Sequence, residues 1–357
     1  MPPTVVRSYS KINLGLRIGP PRADGFHHLT TMYQTVALHD LVTVQAVAAP
    51  ATEITMSASD SRVPCDGRNT AWKMVTAALE GLGVAARVHI HLEKRLPPQG
   101  GMGAGSANAA AALLGLERQL KMALDGPARL RIAVQVGSDV PLFLIGGTVY
   151  GHNRGEVVLP YPDLPEMPCL IVAPAQGSST PAAFRAWDEQ ITQLTPEAAH
   201  GRLDELSRVY ASAFTPAGQE SPGSLPDAFQ AGSLGVSGAL DGVVKATHEA
   251  DGDLAGNAFL ALVRTGIEND FEEVVFQQHP SLREIKRALL NENGRPEETY
   301  ALCAMLSGSG SSIFGLFRTV ADAKAAEQRV QVLRTGARLF VTRTVSRKRY
   351  WQEMFEE

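Results

Sequence analysis

A glycine-rich segment that leads directly into an alanine- and leucine-rich helix constrains this chain more than any other feature. Residues 96–109 read Leu-Pro-Pro-Gln-Gly-Gly-Met-Gly-Ala-Gly-Ser-Ala-Asn-Ala, and the helical composition runs from Ser106 to about Met122. Glycine lets backbone amides approach a ligand closely, and the unpaired N–H groups at a helix start attract anions. The segment therefore predicts a site for a nucleotide phosphate, with a flexible loop before a packed helix as the alternative. The candidate residues are Pro97, Pro98, Gln99, Gly100, Gly101, Met102, Gly103, Ala104, Gly105, Ser106 and Ala107.

Two familiar glycine motifs differ from this segment. A P-loop requires Gly-Lys followed by Ser or Thr, and the chain contains no Gly-Lys dipeptide. The dinucleotide-binding fingerprint requires the GxGxxG spacing, which neither residues 100–105 nor residues 308–315 provide.

A second glycine turn, Ser307–Ser312, lies between apolar segments. Alone it is equally well explained as a hairpin turn, but together with the first segment it could close over the other side of the phosphates.

Strand and helix patterns follow one another in mixed order. Apolar and polar residues alternate near 10–16, 41–47 and 88–92, helical spacing covers 69–82 and 282–290, and strands are predicted at 169–173 and on both sides of the turn near 308. Because strands and helices do not alternate strictly, an α+β fold is favoured over a doubly wound sheet. The stretch 195–256, rich in Ala, Gly, Ser and Pro, predicts loops and short helices.

The charge balance limits the partners of this chain. Thirty-three Lys and Arg residues against 37 Asp and Glu residues give a net charge of −4, which disfavours binding to nucleic acid. No apolar run approaches the roughly eighteen residues of a membrane span, and the N-terminus lacks a signal-like apolar segment. Three distant cysteines argue against a disulfide framework. The composition predicts a cytoplasmic enzyme without nucleic-acid or membrane partners.

Individual polar residues allow more than one interpretation on the sequence alone. Lys11 lies in an apolar strand and could simply face solvent, and Asp139, in Gly-Ser-Asp-Val-Pro, could be a turn or cap residue. His89 and His91 share one strand face, but no third ligand stands at a useful spacing. They are interpreted as a solvated strand face, and no protein metal site is predicted.

Several motifs resemble a known family. Lys-Ile-Asn-Leu at 11–14, the glycine segment and the Ser307–Ser312 turn occur in the order of the three motifs of the GHMP kinase superfamily. Four further segments resemble the 4-diphosphocytidyl-2-C-methyl-D-erythritol kinase family within it: Arg22-Ala-Asp-Gly-Phe-His27, Lys94-Arg-Leu-Pro97, Gly137-Ser-Asp-Val-Pro141 and Glu268-Asn-Asp270. The resemblance covers about 8–180 and 268–317 and leaves about 188–266 unmatched.

This resemblance implies a fold, a reaction and roles for particular residues. The fold would be a two-domain GHMP kinase, with an ATP-binding domain over 1–166, a second domain over 167–357 carrying an insertion around 188–266, and the active site in the cleft between them. ATP would be the co-substrate, with Mg²⁺, and the 2-hydroxyl of the diphosphocytidyl methylerythritol substrate would be phosphorylated in the non-mevalonate isoprenoid pathway. Lys11 and Asp139 would be catalytic. The substrate would contact Asn13, Phe26, His27, Thr180 and Phe184, with Phe26 and Phe184 on opposite faces of the cytosine ring.

The sequence departs from the family pattern at two positions, and it leaves several assignments open. Phe26 replaces the family's tyrosine, and Ala107 replaces a second serine of the glycine loop, so no hydroxyl role is expected at position 107. Asn69 and Lys94 are only candidates for contacting the adenine, and both monomer and homodimer are compatible with the sequence. The alternatives are another GHMP enzyme, such as a homoserine or mevalonate kinase or the related decarboxylase, and a non-catalytic nucleotide-binding regulator.

Overall fold

The computed structural model describes residues 2–97, 100–191, 196–212, 267–292, 294 and 301–356. Its strands are β1 Thr4–Pro21, β2 His27–Ala48, β3 Glu53–Ala58, β4 Ala86–Glu93, β5 Thr148–Asn153, β6 Val157–Pro160, β7 Pro168–Ala173, β8 Cys303–Leu306, β9 Ile313–Leu316 and β10 Arg338–Arg343. Its helices, numbered within these ranges, are α1 Thr70–Leu82, α2 Ala104–Leu120, α3 Gly126–Val136, α4 Val140–Phe143, α5 Thr180–Ile191, α6 Pro196–Ser212, α7 Phe271–Gln278, α8 Pro280–Leu290, α9 Val320–Val332 and α10 Arg347–Gln352.

The first sheet is built around the long antiparallel hairpin of β1 and β2. Its path is β3-β4-β2-β5-β6, with β1 paired to β2, and the pairing of β3 with β4 is its parallel ladder. Helix α2 packs so closely on β2 that a Cβ at Gly115 would lie 2.7 Å from Val44 Cγ2. Val6, Val75 and Leu113 are fully buried in the core between this sheet and its helices. Helix α2 is therefore held rigidly against the strands that carry the site.

The second sheet has four antiparallel strands in the order β10-β7-β9-β8. Its buried side chains pack with those of α5, α7, α8 and α9 in a core that includes Leu170, Trp187, Phe271 and Leu289. The C-terminal helix α10 returns to the first sheet, where the hydroxyl of Tyr350 donates to the carbonyl of Phe143 at 2.6 Å. Of the described helices, none has both the length and the apolar composition that crossing a bilayer requires.

The predicted α+β class is confirmed, and most predicted strands and helices are present. Helix α2, however, begins at Ala104 rather than Ser106 and ends at Leu120 rather than Met122. The prediction of only loops and short helices for 195–256 is wrong for 196–212, which form one helix of 17 residues. Residues 213–256 lie outside the described residues, and so does most of the predicted insertion at 188–266. The domain division at 166/167 stays a prediction.

Candidate active site

The glycine segment forms a loop whose shape depends on glycine. Gly103 occupies the N-cap of α2 with φ 69°, and no side chain caps the helix. A Cβ at Gly103 would lie 2.9 Å from Phe143 Cζ and 3.3 Å from Lys11 Cγ. The carbonyl of Met102 accepts from the backbone N–H of Lys11 at 3.1 Å, which ties the loop to β1. The first amides of α2 have no intrahelical partner, so the loop presents an anion site.

The two glycine segments lie in direct contact. Ser307 Oγ donates to the carbonyl of Gly101 at 3.0 Å, and the N–H of Ser312 donates to the carbonyl of Gly100 at 3.2 Å. A Cβ at Gly101 would lie 2.0 Å from the carbonyl oxygen of Ser307, so no side chain fits between the segments. The turn at 307–312 therefore packs directly against the first glycine segment and is not an independent hairpin.

The Glu-Asn-Asp motif connects β1 with this second turn, a role that the sequence did not indicate. Asn269 Nδ2 donates to the carbonyls of Leu306 and Gly308, each at 2.8 Å. The carboxylate of Asp270 accepts from the N–H of Ile18 at 2.8 Å and from the Arg17 guanidinium at 2.8 Å. The motif thus fixes the turn relative to the strand that carries Lys11.

Lys11 is buried and faces the site rather than solvent. Its Nζ donates to Asn13 Oδ1 at 2.7 Å and to the carbonyl of Gly101 at 2.9 Å, and it lies 3.7 Å from Asp139 Oδ2. Burial lowers the pKa of Lys11, and the nearby Asp139 carboxylate partly offsets that effect. The predicted pair of Lys11 and Asp139 therefore lies together at the glycine loop, and the surface-lysine interpretation is wrong.

Asp139 stands at the start of α4 with 31% of its side chain exposed, so a ligand can reach its carboxylate. Its other oxygen, Oδ1, accepts a hydrogen bond of 3.1 Å from the hydroxyl of Tyr33, a residue of β2. Tyr33 was not predicted as a site residue. Its only sequence signal is its place in the strand that pairs with β1, opposite Asn13.

Asn13 and Thr180 both lie at this cleft. Asn13 accepts from Lys11 and donates from Nδ2 to Thr31 Oγ1 at 2.9 Å, so its amide orientation is fixed. Thr180 begins α5, and its hydroxyl is 2.7 Å from that of Ser309 in the second glycine turn. This contact ties the start of α5 to the second glycine turn, which itself touches the first glycine segment.

The predicted base-binding residues form a cluster at the end of the β1–β2 hairpin. His27 is buried, stacks on Phe184 with ring centroids 4.7 Å apart and an interplanar angle of 14°, and has Nε2 2.6 Å from Asp188 Oδ1. Phe26 lies on the exposed turn with 50% of its surface accessible, and the Arg154 guanidinium is 4.7 Å from its ring centroid. One face of Phe184 is therefore covered by His27, which the sequence did not predict.

The adenine candidates already have protein partners. Asn69 caps α1 by accepting from the N–H of Ala71 at 2.9 Å and donates to the carbonyl of Pro64 at 2.8 Å. Lys94 forms a buried ion pair with Asp40. Pro98 and Gln99 of the candidate nucleotide loop lie outside the described residues.

The histidines on β4 lie beside serine and threonine rather than near other metal ligands. His89 Nδ1 lies 2.9 Å from Thr55 Oγ1, and His91 Nδ1 lies 2.9 Å from Ser57 Oγ. Within the described ranges, no group of three or more His, Cys, Asp or Glu side chains could hold a metal ion.

Comparison with known proteins matches this geometry to one class of enzyme. The model of the GHMP kinase N-terminal domain matches residues 69–147, and that of the GHMP kinase C-terminal domain matches residues 244–332. A crystal structure of 4-(cytidine 5'-diphospho)-2C-methyl-D-erythritol kinase superposes with a TM-score of 0.62 at 24% identity, over 95% of this chain and 98% of that one. The homoserine kinase of Cytophaga hutchinsonii gives a TM-score of 0.61 at 18% identity, over 96% and 95%. Both domain matches place the chain among the GHMP kinases, and both structures share its fold.

The sequence relatives specify the family within that class. The chain is 32% identical over 355 residues to the 4-diphosphocytidyl-2-C-methyl-D-erythritol kinase of Solibacter usitatus, covering 99% of this chain and 93% of the relative. It is 35% identical over 257 residues to the enzyme of that name from Kineococcus radiotolerans, covering 70% and 76%. The chain belongs to the 4-diphosphocytidyl-2-C-methyl-D-erythritol kinase family, as the sequence motifs predicted.

Proposed function

We propose that this chain transfers the γ-phosphoryl group of ATP to the 2-hydroxyl of 4-diphosphocytidyl-2-C-methyl-D-erythritol, in the non-mevalonate isoprenoid pathway. The single observation that carries the mechanism is the Lys11–Asp139 pair, 3.7 Å apart, beside the glycine loop at the start of α2. The partly exposed carboxylate of Asp139 accepts the proton of the attacking hydroxyl. The Lys11 ammonium stabilises negative charge on the transferring phosphoryl group.

The burial of Lys11 supports a catalytic role. Transferring a cation from water to a buried position is costly unless it is paired. The Lys11 ammonium donates hydrogen bonds to Asn13 Oδ1 and to the carbonyl of Gly101, and it forms an ion pair with the Asp139 carboxylate. A lysine that served only solubility would not be placed there.

ATP would be held through its phosphates by the amides at the start of α2. Gly100, Gly101 and Gly103 allow close backbone approach, and the contact with the 307–312 turn closes one side of the loop. Of the predicted nucleotide-loop residues, Pro97 and Gly100–Ala107 are described. The position of Gly103–Ala107 at the start of α2 supports the proposed phosphate site.

Magnesium is part of the proposal as a partner of the triphosphate. Mg²⁺ keeps several waters and commonly binds one or two protein oxygens together with substrate phosphates. The hydroxyl of Ser106, in the first turn of α2, and the Asp139 carboxylate are the hard oxygen ligands that fit such an ion. When bound, the ion neutralises charge on the triphosphate.

Recognition of cytidine would come from the cluster at the hairpin end. An ionised carboxylate can only accept hydrogen bonds, so Asp188 requires the proton of a neutral His27 to lie on Nε2. Nδ1 is then an acceptor, which suits the amino group of cytosine and not the carbonyl that replaces it in uracil. Phe26 offers an accessible ring face for the base, and Phe184 fixes the imidazole by stacking on it.

The assay that tests this function measures ATP consumption with each candidate alcohol: the cytidine substrate, mevalonate and homoserine. Turnover with the cytidine substrate alone is expected. Turnover with mevalonate or homoserine alone would assign another GHMP activity, and binding of ATP without turnover on any alcohol would indicate a regulator. We further propose a cytoplasmic enzyme, a monomer or homodimer, with the domains divided at 166/167.

A further inference from the structure

We propose that Tyr33 is a positioning residue for phosphoryl transfer, whose hydroxyl keeps the Asp139 carboxylate oriented toward Lys11 and the substrate. The inference rests on the proposed function, in which Asp139 receives the proton of the substrate hydroxyl. Tyr33 acts through Asp139, and no contact with substrate is assigned to it.

The geometry holds the carboxylate at both of its oxygens. Tyr33 donates to Oδ1 at 3.1 Å, and Lys11 Nζ lies 3.7 Å from Oδ2. The two partners come from the adjacent strands β2 and β1, and Lys11 Nζ lies 5.5 Å from the centroid of the Tyr33 ring. A carboxylate with a partner on each oxygen has one preferred rotamer, and each oxygen retains a further lone pair for a ligand.

Two glycines leave the space that the Tyr33 ring occupies, and a side chain at either position would clash with the ring. A Cβ at Gly151 would lie 2.5 Å from Tyr33 Cε2, and a Cβ at Gly155 would lie 2.5 Å from the Tyr33 hydroxyl. Gly155 has φ 92°, which glycine alone adopts readily. Two glycines of the β5–β6 hairpin thus fix where the hydroxyl lies, next to Asp139.

The phenol remains a hydrogen-bond donor over the working pH range. Burial raises the pKa of Tyr33 well above its usual value, and the Asp139 carboxylate raises it further. Glu156 of the β5–β6 hairpin and the phenol of Tyr210 on α6 raise it by smaller amounts. The cation that faces the pair is Lys11 of β1.

The test compares kcat and both KM values for Tyr33→Phe, which keeps the ring in its slot and removes only the hydroxyl. Hydrogen bonds to charged groups are the stronger ones, so kcat should fall about ten- to a hundredfold while both KM values stay within about threefold. Tyr150→Phe is the matched control, because its hydroxyl lies 2.6 Å from Ser207 Oγ and not near Asp139.

The outcomes separate this inference from the proposed function. An unchanged kcat in Tyr33→Phe would overturn the positioning role, and so would a rise in KM alone. If the wild-type protein fails to phosphorylate the cytidine substrate, the proposed function fails instead. The inference is then tested with the alcohol that the wild-type protein does phosphorylate, using the same two variants. There too kcat should fall in Tyr33→Phe and not in Tyr150→Phe, and equal kcat values in the two variants, or no turnover with any alcohol, would overturn the inference.

Discussion

Replacing Gly103 with alanine tests whether the loop conformation serves ATP binding. The new methyl group would meet two obstacles, because Gly103 has φ 69° and its Cβ would lie 2.9 Å from Phe143 Cζ. Phe143 is fully buried, so its ring cannot move aside without disturbing the core. The same Cβ would lie 3.3 Å from Lys11 Cγ, which couples the substitution to the catalytic lysine.

Gly83 provides a matched control for the conformational part of this effect. It has φ 67°, and a Cβ there would meet no atom within 4 Å. A left-handed conformation costs an L-residue about 1–2 kcal/mol, and this should be the whole effect of Gly83→Ala. Overpacking adds about 1–3 kcal/mol, so Gly103→Ala should lower the free energy of unfolding by about 2–5 kcal/mol.

The assay combines urea denaturation with calorimetric titration of ATP and of the cytidine substrate on folded protein. Gly103→Ala should weaken ATP about tenfold or more, which corresponds to about 1.4 kcal/mol of lost phosphate contact, and should weaken the cytidine substrate less. Gly83→Ala should leave both affinities unchanged. Equal stability losses in the two variants would refute the packing argument. Equal weakening of both ligands by Gly103→Ala would refute the phosphate role of the loop.

Two further predictions concern the base-binding cluster. Phe26→Ala should raise KM for the cytidine substrate about ten- to a hundredfold, since stacking contributes about 1–3 kcal/mol per base, whereas Phe26→Tyr should be nearly neutral. Steady-state kinetics of both variants test this, and an unchanged KM in Phe26→Ala would place the base elsewhere. Asp188→Asn should reduce the preference for the cytidine substrate over its uridine analogue about tenfold, because an amide can donate or accept and no longer fixes the tautomer of His27. An unchanged ratio of kcat/KM for the two nucleotides would contradict that role of Asp188.

Sequence motifs identified the residues proposed to be catalytic, but the contacts of those residues depend on tertiary structure. Lys11 and Asp139 were both predicted, although nothing in the spacing of β1 and α4 along the chain indicates a separation of 3.7 Å. Tyr33 was missed because a single tyrosine in an alternating strand looks like any core aromatic. The stacking of Phe184 on His27 was missed because it depends on how α5 docks against the β1–β2 hairpin.

Errors in the predicted elements have local physical causes. The start of α2 was placed too late because Gly105 has a low helix propensity. In the first turn its amide needs no helical partner, so the helix can begin before it. Helix α6 was not predicted, yet it buries Leu206 and Tyr210 one turn apart, and the Tyr210 hydroxyl donates to the carbonyl of Leu14 at 2.6 Å. Strand β3 was missed although polar and apolar residues alternate along it, because six half-buried residues at a sheet edge are too short a run to separate a strand from a loop.

The central claim, that the Lys11–Asp139 pair transfers phosphate to the cytidine substrate, is tested most directly by turnover of Asp139→Asn. The amide keeps the shape of the carboxylate but cannot accept the proton, so most turnover should be lost while the affinities for ATP and substrate stay within about tenfold. The reaction is followed by ³¹P NMR, with circular dichroism to show that the variant is folded. Wild type should yield a new phosphate monoester on the methylerythritol moiety, and the variant should yield almost none in the same time. Near-normal formation of that product by folded Asp139→Asn would contradict the account.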